Sequence, residues 1–468
     1  MKRDTSLSRR RFLKEGAAAA ASLTVVPRHV VGATPVRPAP SDTVHIALVG
    51  AGGQGRTNLR ELFQHADAQV VAIADPAEYF GLERFYYGGV AGRLPIKAEI
   101  EAHYARTTPN FRCAEYQDFR ELLEKERGVD AVLCATPDHV HAHVSVAAMR
   151  AGKHVYCEKP LTHNIWEARL VARVAKETGV ATQMGNIGHS RDTMREIVEL
   201  LRAGAIGTVR EVHCWVGSTR WNRSLVSAPD DQPRVPAGLN WDLWLGPREA
   251  RPYHPAYHPV TWRDFWAFGG ANVADFGPHE LDSSLWAFDL GAPESVEFYP
   301  AGPTDAELAP HGCIGEYRFP ARGSQPALSI RWYDGGLKPT LSAYLEGATL
   351  PNRGVMFVGD RGAMITGGAG GPWKLLPESK FQGFSRPAPT LPRSPGHHRE
   401  WLDACKGGPA PGSNFEYAAR LTELALLGVL SLRLGRRIEW DAQAMAAKGV
   451  PEAEPIIREP YRAGWELA

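Results

Sequence analysis

Short apolar runs alternate with segments of helical periodicity between Val44 and Met184. Runs of four to seven apolar residues bounded by turn residues are typical of buried strands, and apolar residues spaced three and four apart predict helices between them. The predicted order is strand 44–49, helix 58–65, strand 70–74, helix 116–126, strand 129–135, helix 140–151, strand 154–157, helix 165–178 and strand 180–184. This alternation predicts an α/β domain with a doubly wound parallel sheet.

The pattern changes after residue 185, where β-rich segments dominate and a long segment rich in Trp, Pro and His, 221–266, has no regular period. Long loops of this kind are usually functional. The predicted strands are 208–216, 295–298, 314–319, 328–333, 341–346 and 355–359, and the predicted helices are 193–203, 398–405 and 417–434. We therefore expect one domain over 43–185 and a second α/β domain over 186–468, whose last helices pack back on the first.

The first 33 residues are predicted to be a signal peptide. The basic run at 8–14, Ser-Arg-Arg-Arg-Phe-Leu-Lys, precedes a mildly apolar stretch at 17–26, and this order matches a twin-arginine signal. That stretch is too short to span a bilayer, and the small residues before Thr34 suit a signal peptidase. The sequence therefore predicts export to the periplasm or beyond through the twin-arginine machinery, no stable membrane insertion, and a proline-containing linker over 34–42.

Composition argues against several classes of partner. The chain has 468 residues, with 53 Lys and Arg against 52 Asp and Glu, so its formal net charge of +1 gives no field that would attract nucleic acid. The six cysteines are scattered and form neither a zinc pattern nor a disulfide framework. We read them as reduced core residues: Cys113, Cys134, Cys157, Cys214, Cys313 and Cys405.

A glycine-rich turn follows the first predicted strand. Gly50, Gly52 and Gly55 form G-x-G-x-x-G, with Gly53 and Gln54 between them, ahead of a predicted helix. Such a turn brings backbone amides at a helix N-terminus close to a diphosphate, which predicts a dinucleotide-binding Rossmann domain. The next strand ends at Asp75, where a carboxylate suits the ribose hydroxyls and repels a 2′-phosphate. The cofactor is therefore predicted to be NAD, with NADP less favoured.

Two further segments follow strand ends and are predicted to border the same crevice. Thr136, Pro137 and His139 come after the strand 129–135, and Glu158 and Lys159 come after the strand 154–157. We count all five as candidate cofactor contacts.

Three alternating histidines imitate a metal cluster. His139, His141 and His143 lie two residues apart on a predicted helix, so their side chains diverge in direction. We therefore predict no metal site.

Three segments together resemble the glucose-fructose oxidoreductase, inositol dehydrogenase and MocA family, written Gfo/Idh/MocA. They read GAGGQG, ATPDHVHAHVSVAAMRAGKHVYCEKPL and GGANVADFGPHELD, and the resemblance covers nearly all of the chain after the signal. It implies a second domain with a largely antiparallel sheet over the cofactor, a sugar-like substrate and a homo-oligomer.

The resemblance also implies the acid/base groups. Oxidation of an alcohol requires a group that removes its proton. Lys159 and His279 match the family's Lys and its Asp-x-x-x-His element, and Asp275 matches the residue that positions the substrate. Desolvation and a cationic nicotinamide ring would favour the free amine of Lys159, whereas Glu158 opposes it. The sequence does not decide whether Lys159 or His279 leads.

Two functions agree with these features. The first is oxidation or reduction of a sugar, cyclitol or related polyol by hydride transfer, with a tightly held cofactor because an exported enzyme meets little free NAD. The second is a glycoside hydrolase that oxidises, eliminates, adds water and reduces again, with His279, Tyr253 or Tyr257 assisting elimination. Possible substrate contacts in the long loop are His254, His258, Trp262, Arg263 and Asp264.

Overall fold

The computed structural model describes residues 42–347 and 349–467. The predicted signal at 1–33 and all but residue 42 of the predicted linker lie outside these ranges. None of the helices in the described ranges combines the length and the apolar character needed to cross a bilayer.

The first sheet is parallel throughout, and its strands lie in the order β5-β2-β1-β6-β7-β8. The strands in chain order are β1 (Val44–Val49), β2 (Ala68–Ala74), β3 (Phe80–Gly81), β4 (Val90–Ala91), β5 (Ala114–Tyr116), β6 (Ala131–Cys134), β7 (His154–Cys157) and β8 (Thr182–Met184), of which β3 and β4 pair separately. The accompanying helices are α1 (Gly53–Leu62), α2 (Arg93–Tyr104), α3 (Phe119–Lys125), α4 (Asp138–Arg150) and α5 (Ile165–Thr178). This arrangement confirms the predicted doubly wound sheet.

The second sheet has nine strands in the order β15-β14-β13-β9-β12-β11-β10-β16-β17, and only β9 and β12 pair in parallel. Its strands are β9 (Val209–Val216), β10 (Ser295–Ala301), β11 (Gly312–Phe319), β12 (Leu328–Tyr333), β13 (Arg353–Gly359), β14 (Gly362–Gly367), β15 (Trp373–Leu376), β16 (Ile438–Asp441) and β17 (Ala446–Ala447). The remaining helices are α6 (Asp192–Arg202), α7 (Trp241–Leu245), α8 (Ala271–Glu280), α9 (Asp282–Phe288), α10 (Ser342–Leu345), α11 (His397–Cys405), α12 (Phe415–Leu434) and α13 (Glu454–Ile457). The largely antiparallel second sheet is therefore confirmed.

Helix α5 begins directly after the loop that carries Lys159, and its start is fixed by a capping box. The Asn164 side chain accepts a hydrogen bond from the Glu167 backbone N–H, and the Glu167 carboxylate accepts one from the Asn164 backbone N–H. Gly179, with φ of 66°, ends the helix in the left-handed conformation. These contacts hold the end of the Lys159 loop in a defined position.

Helix α12 joins the two halves of the core. It is apolar around most of its circumference and packs against α5 on one side and against α8 and β10 on the other. Apolar side chains from both sheets and from α12, such as Val132, Val155, Phe298 and Leu424, belong to one continuous cluster. The elements that carry Lys159 and His279 are thus held together by a shared core.

The predicted strand at 341–346 is wrong, because this segment forms the short helix α10. Leu341, Tyr344 and Leu345 pack on one apolar cluster with Trp215 and Met356 of the second sheet. Their spacing of three and four residues matches a helical turn rather than an alternating strand.

Candidate active site

A cleft of about 760 Å³ opens where β1, β6 and β7 end. The glycine turn after β1, the Thr136 segment after β6 and the Lys159 segment after β7 all line it. The face of α8 that carries Asp275 and His279 lines the same cleft. Apart from His139, and from Gly55 within the turn, the predicted cofactor and acid/base residues all line this cleft.

The glycine turn leaves room for a diphosphate. Gly50 has φ of +96°, and a Cβ added there would lie 2.5 Å from the Ala135 carbonyl carbon, so only glycine fits. A Cβ on Gly55 would lie 2.1 Å from the Gly50 oxygen, whereas one on Gly52 would meet nothing within 4 Å. Gly52 precedes α1 without a side-chain cap, so the first amides of the helix face open space. These features fit a dinucleotide.

Tyr87 covers part of this turn. Its ring would lie 2.2 Å from a Cβ on Gly53, so Gly53 lets the ring rest on the backbone. Tyr87 comes from the segment between β3 and β4, which was not recognised from the sequence. An aromatic side chain therefore forms part of the cleft wall beside the turn.

Asp75 lies at the end of β2 and lines the cleft. Its carboxylate accepts hydrogen bonds from the backbone N–H groups of Ala51 at 2.7 Å and Ala77 at 2.8 Å. Burial raises its pKa to about 6, because desolvation outweighs the two amides and the charge of Arg93. The carboxylate is therefore charged at neutral pH and close to the glycine turn.

The choice between NAD and NADP should depend on this charge. We expect the preference for NAD to weaken as the pH falls from 8 to 5, since protonated Asp75 no longer repels a 2′-phosphate. Dissociation constants of both dinucleotides measured across this range test the expectation. Asp75→Asn, which does not titrate there, supplies the reference profile, and an equal pH response in wild type and variant would contradict it.

Gln54 and Glu158 form one polar cluster beneath the turn. The Glu158 carboxylate accepts hydrogen bonds from Asn58 Nδ2 at 2.7 Å and Gln54 Nε2 at 3.2 Å. Burial raises the pKa of Glu158 above its ordinary value despite these donors and the nearby charge of Lys159. Thr136 and Pro137 line the cleft beside this cluster, as predicted.

The prediction for His139 is wrong. Its Nε2 lies 3.0 Å from the Trp244 carbonyl oxygen, and its ring packs between Trp244 and Phe268, away from the cleft. Burial lowers its pKa well below the ordinary value. Alternate positions on α4 face opposite sides, and it is His141 that faces the cleft.

Lys159, Asp275 and His279 form the reactive part of the cleft. The Lys159 amine donates to the Asp275 carbonyl oxygen at 2.7 Å and also pairs with the Asp275 carboxylate. Burial alone would raise the pKa of Asp275, but Lys159 and Arg263 outweigh it and hold that pKa well below the ordinary value. Burial and the charge of Lys159 lower the pKa of His279, so its imidazole is neutral. A neutral base and an anchored amine thus lie side by side.

Helix α8 presents a stripe of four residues to the cleft. Asn272, Asp275, Phe276 and His279 all line it, in the spacing of one helical face. Asp275 and His279 were predicted from the sequence, and the same helical period would have found Asn272 and Phe276. His279 Nδ1 is buried and has no hydrogen-bond partner among the described residues, which leaves it free for a ligand.

Asp138 lines the cleft beside Thr136 and Pro137, as expected for a residue at this strand end, but no role was predicted for it from the sequence. It is the first residue of α4 and is buried beside Lys159, Arg263 and Asp275. Burial raises its pKa from 3.8 to about 8, although Arg263 and Lys159 oppose the shift. Asp138 is therefore mainly protonated at neutral pH and can donate a hydrogen bond.

This buried acid should make stability depend on pH. Between pH 4 and pH 8 the unfolded chain loses the Asp138 proton while the folded chain keeps it, so the free energy of unfolding falls as pH rises. We expect Asp138→Asn to be more stable than wild type at pH 8, on the order of 2–5 kcal/mol, with no difference near pH 4. Urea unfolding of the cofactor-free protein measures this. A gain that does not change with pH, or an equal gain in the exposed control Asp230→Asn, would contradict the assignment.

The long loop supplies some of the expected contacts and not others. His258, Trp262 and Arg263 line the cleft. Asp264 instead accepts the backbone N–H groups of Trp221 and Asn222 and so shapes the loop. The remaining three candidates lie outside the cleft: His254, which pairs with Asp231, and Tyr253 and Tyr257, which pack in an aromatic cluster. The tyrosines that line the cleft are Tyr86 and Tyr87.

One group of metal-capable side chains lies beneath the cleft. The ligand atoms of Cys134, His141 and Cys157 are within 4.8 Å of one another. His141 Nδ1 lies 2.7 Å from the Pro160 carbonyl oxygen and Nε2 lies 2.8 Å from the Thr136 carbonyl oxygen. Burial lowers the pKa of His141 to about 4, so its neutral ring donates to one of these two oxygens. His141 therefore lies between the two cleft loops, and we assign no metal to this group.

The sheets and the glycine turn define a two-domain, dinucleotide-binding oxidoreductase fold. Residues 92–186 match the family model described as "Oxidoreductase family, NAD-binding Rossmann fold", and residues 193–307 match "Oxidoreductase family, C-terminal alpha/beta domain". Both models describe Gfo/Idh/MocA domains, so residues 92–186 and 193–307 carry the two domains of this family, as the sequence suggested.

The matches to individual relatives span only part of the length of each relative. A 1,5-anhydro-D-fructose reductase of Ensifer adhaerens is 35% identical over 238 residues, which are 50% of this chain and 59% of that protein. A "Glycosyl hydrolase family 109 protein" of Stenotrophomonas maltophilia is 29% identical over 213 residues, 45% of this chain and 42% of that protein. The chain spans less than two thirds of either relative.

Solved structures show the same fold. The WlbA dehydrogenase from Bordetella pertussis, crystallised with NADH and UDP-GlcNAcA, is 18% identical with a TM-score of 0.58, over 85% of this chain and 99% of that one. The likeness therefore extends over both sheets.

Proposed function

We propose that this protein is an exported NAD-dependent oxidoreductase that acts on a sugar, cyclitol or related polyol. The observation that carries the proposal is the single cleft that holds the glycine turn, Lys159, Asp275 and His279. NAD, when bound, accepts or returns a hydride at its nicotinamide ring. The Rossmann match and the open space at Gly52 support this cofactor.

The side chains of this chain handle the proton. When an alcohol is oxidised, its carbon loses a hydride and its oxygen loses a proton, so a carbonyl forms. The neutral imidazole of His279, or the Lys159 amine once it has given up a proton, accepts the alcohol proton. Asp275 holds the Lys159 amine in place, and Asp138 can donate a hydrogen bond to a bound oxygen.

A redox-cycling glycoside hydrolase is the second candidate, supported by the relatives named as glycosyl hydrolase family 109 proteins. In that reaction a sugar hydroxyl is oxidised, a base removes the acidified neighbouring proton, the aglycone leaves as an alcohol, water adds, and the carbonyl is reduced again. Tyr86 and Tyr87 replace Tyr253 and Tyr257 as the tyrosines available for elimination.

One experiment separates the two candidates. Purified protein is denatured by heat to learn whether NAD(H) is released, and intact protein is incubated with a panel of sugars and aryl glycosides. Growth of the reduced-nicotinamide absorbance with added NAD indicates a dehydrogenase, whereas release of aglycone without added NAD indicates the hydrolase. Bound NAD(H) with no turnover of any compound in the panel would count against both.

Export has its own test. The protein should accumulate outside the cytoplasm, and replacing Arg9 and Arg10 together with lysine should keep it inside, because the run at 8–14 matches the twin-arginine pattern. Cell fractionation followed by immunoblotting reports the outcome. Retention of the wild type in the cytoplasm would remove export from the proposal, and export of the lysine variant would remove the twin-arginine route.

A further inference from the structure

Positive charge outnumbers negative charge at the end of the cleft where His279 lies. Lys159, Arg191, Arg263 and Arg353 line this end. The carboxylates beside them are those of Asp275, shared by Lys159 and Arg263, and of Glu280, which pairs with Arg353.

Two other acids in the cleft do not offset this excess of positive charge. Asp138 is mainly protonated at neutral pH, because burial raises its pKa to about 8. Glu158 is held on the side of the glycine turn by Asn58 and Gln54. Four cations therefore face two carboxylates at the His279 end, and a cleft lined by one sign of charge concentrates ligands of the opposite sign.

Arg191 is the cation without a counter-ion. It directly precedes α6, and its Nη1 donates to the Ala369 carbonyl oxygen at 3.1 Å. In the described ranges no carboxylate forms an ion pair with it. Its guanidinium has further N–H groups that can bind an anion.

Arg353 is a second arginine at this end of the cleft with a donor that has no partner. Its guanidinium lies over the Phe276 ring, 4.9 Å from the ring centroid, while its Nε pairs with Glu280. Its Nη2 is buried and has no hydrogen-bond partner among the described residues. A buried donor left unpaired is unfavourable unless a ligand satisfies it.

The positive charges of Arg191 and Arg353 affect the same two residues of the cleft, His279 and Glu280. The positive charges of both contribute to the lowered pKa of His279, and both oppose the raised pKa of Glu280. Ala369 connects them, because its oxygen binds Arg191 and its N–H donates to Glu280 at 3.4 Å. Ala369 has φ of 54°, an unfavourable conformation that the surrounding contacts hold in place.

We propose that the sugar substrate carries a carboxylate, as in a uronate or aldonate, and that Arg191 and Arg353 bind it beside His279. This inference rests on the proposed function, in either its dehydrogenase or its hydrolase form. A singly charged carboxylate suits the pair better than a phosphate dianion, because Glu280 already neutralises one of the two guanidinium groups.

The test compares substrates that differ only in charge. Steady-state kinetics and calorimetric binding are measured with glucuronate, its uncharged amide glucuronamide, glucose and glucose 6-phosphate, and with the matching aryl glucuronide and glucoside. We expect kcat/KM for glucuronate to exceed that for glucuronamide by roughly 10- to 100-fold, because charge-assisted hydrogen bonds are lost with the amide. The dissociation constant of glucuronate should also rise with salt.

Variants assign the effect to the arginine pair. Arg191→Gln should reduce the ratio of kcat/KM for glucuronate to that for glucuronamide toward one, with a matching loss in calorimetric affinity. Arg210→Gln, at an exposed position of β9 outside the cleft, should leave the ratio unchanged.

The outcomes separate this inference from the proposed function. If glucose or glucuronamide is turned over as fast as glucuronate, the proposal that the substrate carries a carboxylate is overturned. The proposed oxidoreductase function is unaffected by that result. Equal or better use of glucose 6-phosphate overturns the assignment of a singly charged group. Absence of turnover and of binding for every compound, with NAD(H) bound, is a failure of the proposed function itself.

Discussion

Replacing Lys159 with methionine should lower kcat by roughly 10²- to 10⁴-fold, the usual contribution of one acid/base group, while NAD(H) stays bound. Methionine keeps the length of the side chain but has no amine to carry the substrate proton or to hold Asp275. The loss should fall on kcat more than on KM, since the amine acts on the reacting alcohol. Stopped-flow measurement of hydride transfer with the best sugar of the panel gives the value directly.

Two further variants are needed to interpret this result. Lys176→Met, at an exposed position near the end of α5, should behave as wild type. His279→Asn shows which group leads, because the leading group is the one whose loss costs more. If Lys159→Met retains most of the wild-type kcat, the amine is not a proton carrier and only His279 keeps that role.

Gly50→Ala should destabilise the cofactor-free protein, whereas Gly52→Ala should leave its stability unchanged. At Gly50 a methyl group would meet the Ala135 backbone at 2.5 Å in a left-handed conformation, so we expect a loss of several kcal/mol of stability together with the loss of NAD binding. At Gly52 a methyl group meets nothing within 4 Å, so the cofactor-free protein should unfold as wild type does. The same methyl group fills the space intended for the diphosphate.

The discriminating measurement is therefore a pair of unfolding curves, with and without NAD. Wild type should gain stability when NAD is added, because a ligand that binds only the folded chain stabilises it. Gly52→Ala should start at the same midpoint and gain little. Full stabilisation of Gly52→Ala by NAD would show that the diphosphate does not lie against this turn.

Most elements of the first domain were predictable because their signals are local, although β3, β4, α2 and β5, between Asp75 and Phe119, were not recognised from the sequence. The strand before Gly50, the strand that ends at Asp75 and the helix after Asn164 each carry their own apolar pattern and turn or cap residues. The segment 341–346 was wrongly predicted to be a strand because short apolar runs fit a strand and a helical turn equally well. Only packing against Trp215 and Met356 decides between them.

The same contrast between local signals and contacts from distant elements applies to the residues of the site. Lys159, Asp275 and His279 were found because they belong to motifs with recognisable neighbours in sequence. Asp138 and Arg191 were not, because their importance depends on burial and on charges brought from other elements. His139 was misplaced because one step along a helix turns a side chain by about 100°, and the boundary of α4 was not known that closely.

The position of α12 has a consequence for how this protein can change over evolution. Leu161, two residues beyond Lys159, donates its backbone N–H to Thr422 of α12 at 3.2 Å, and α8 rests on the same helix. Rates of proton and hydride transfer respond to displacements of about 1 Å. Changes of volume in the interior of α12 can therefore retune the reaction while every residue at the cleft surface stays the same.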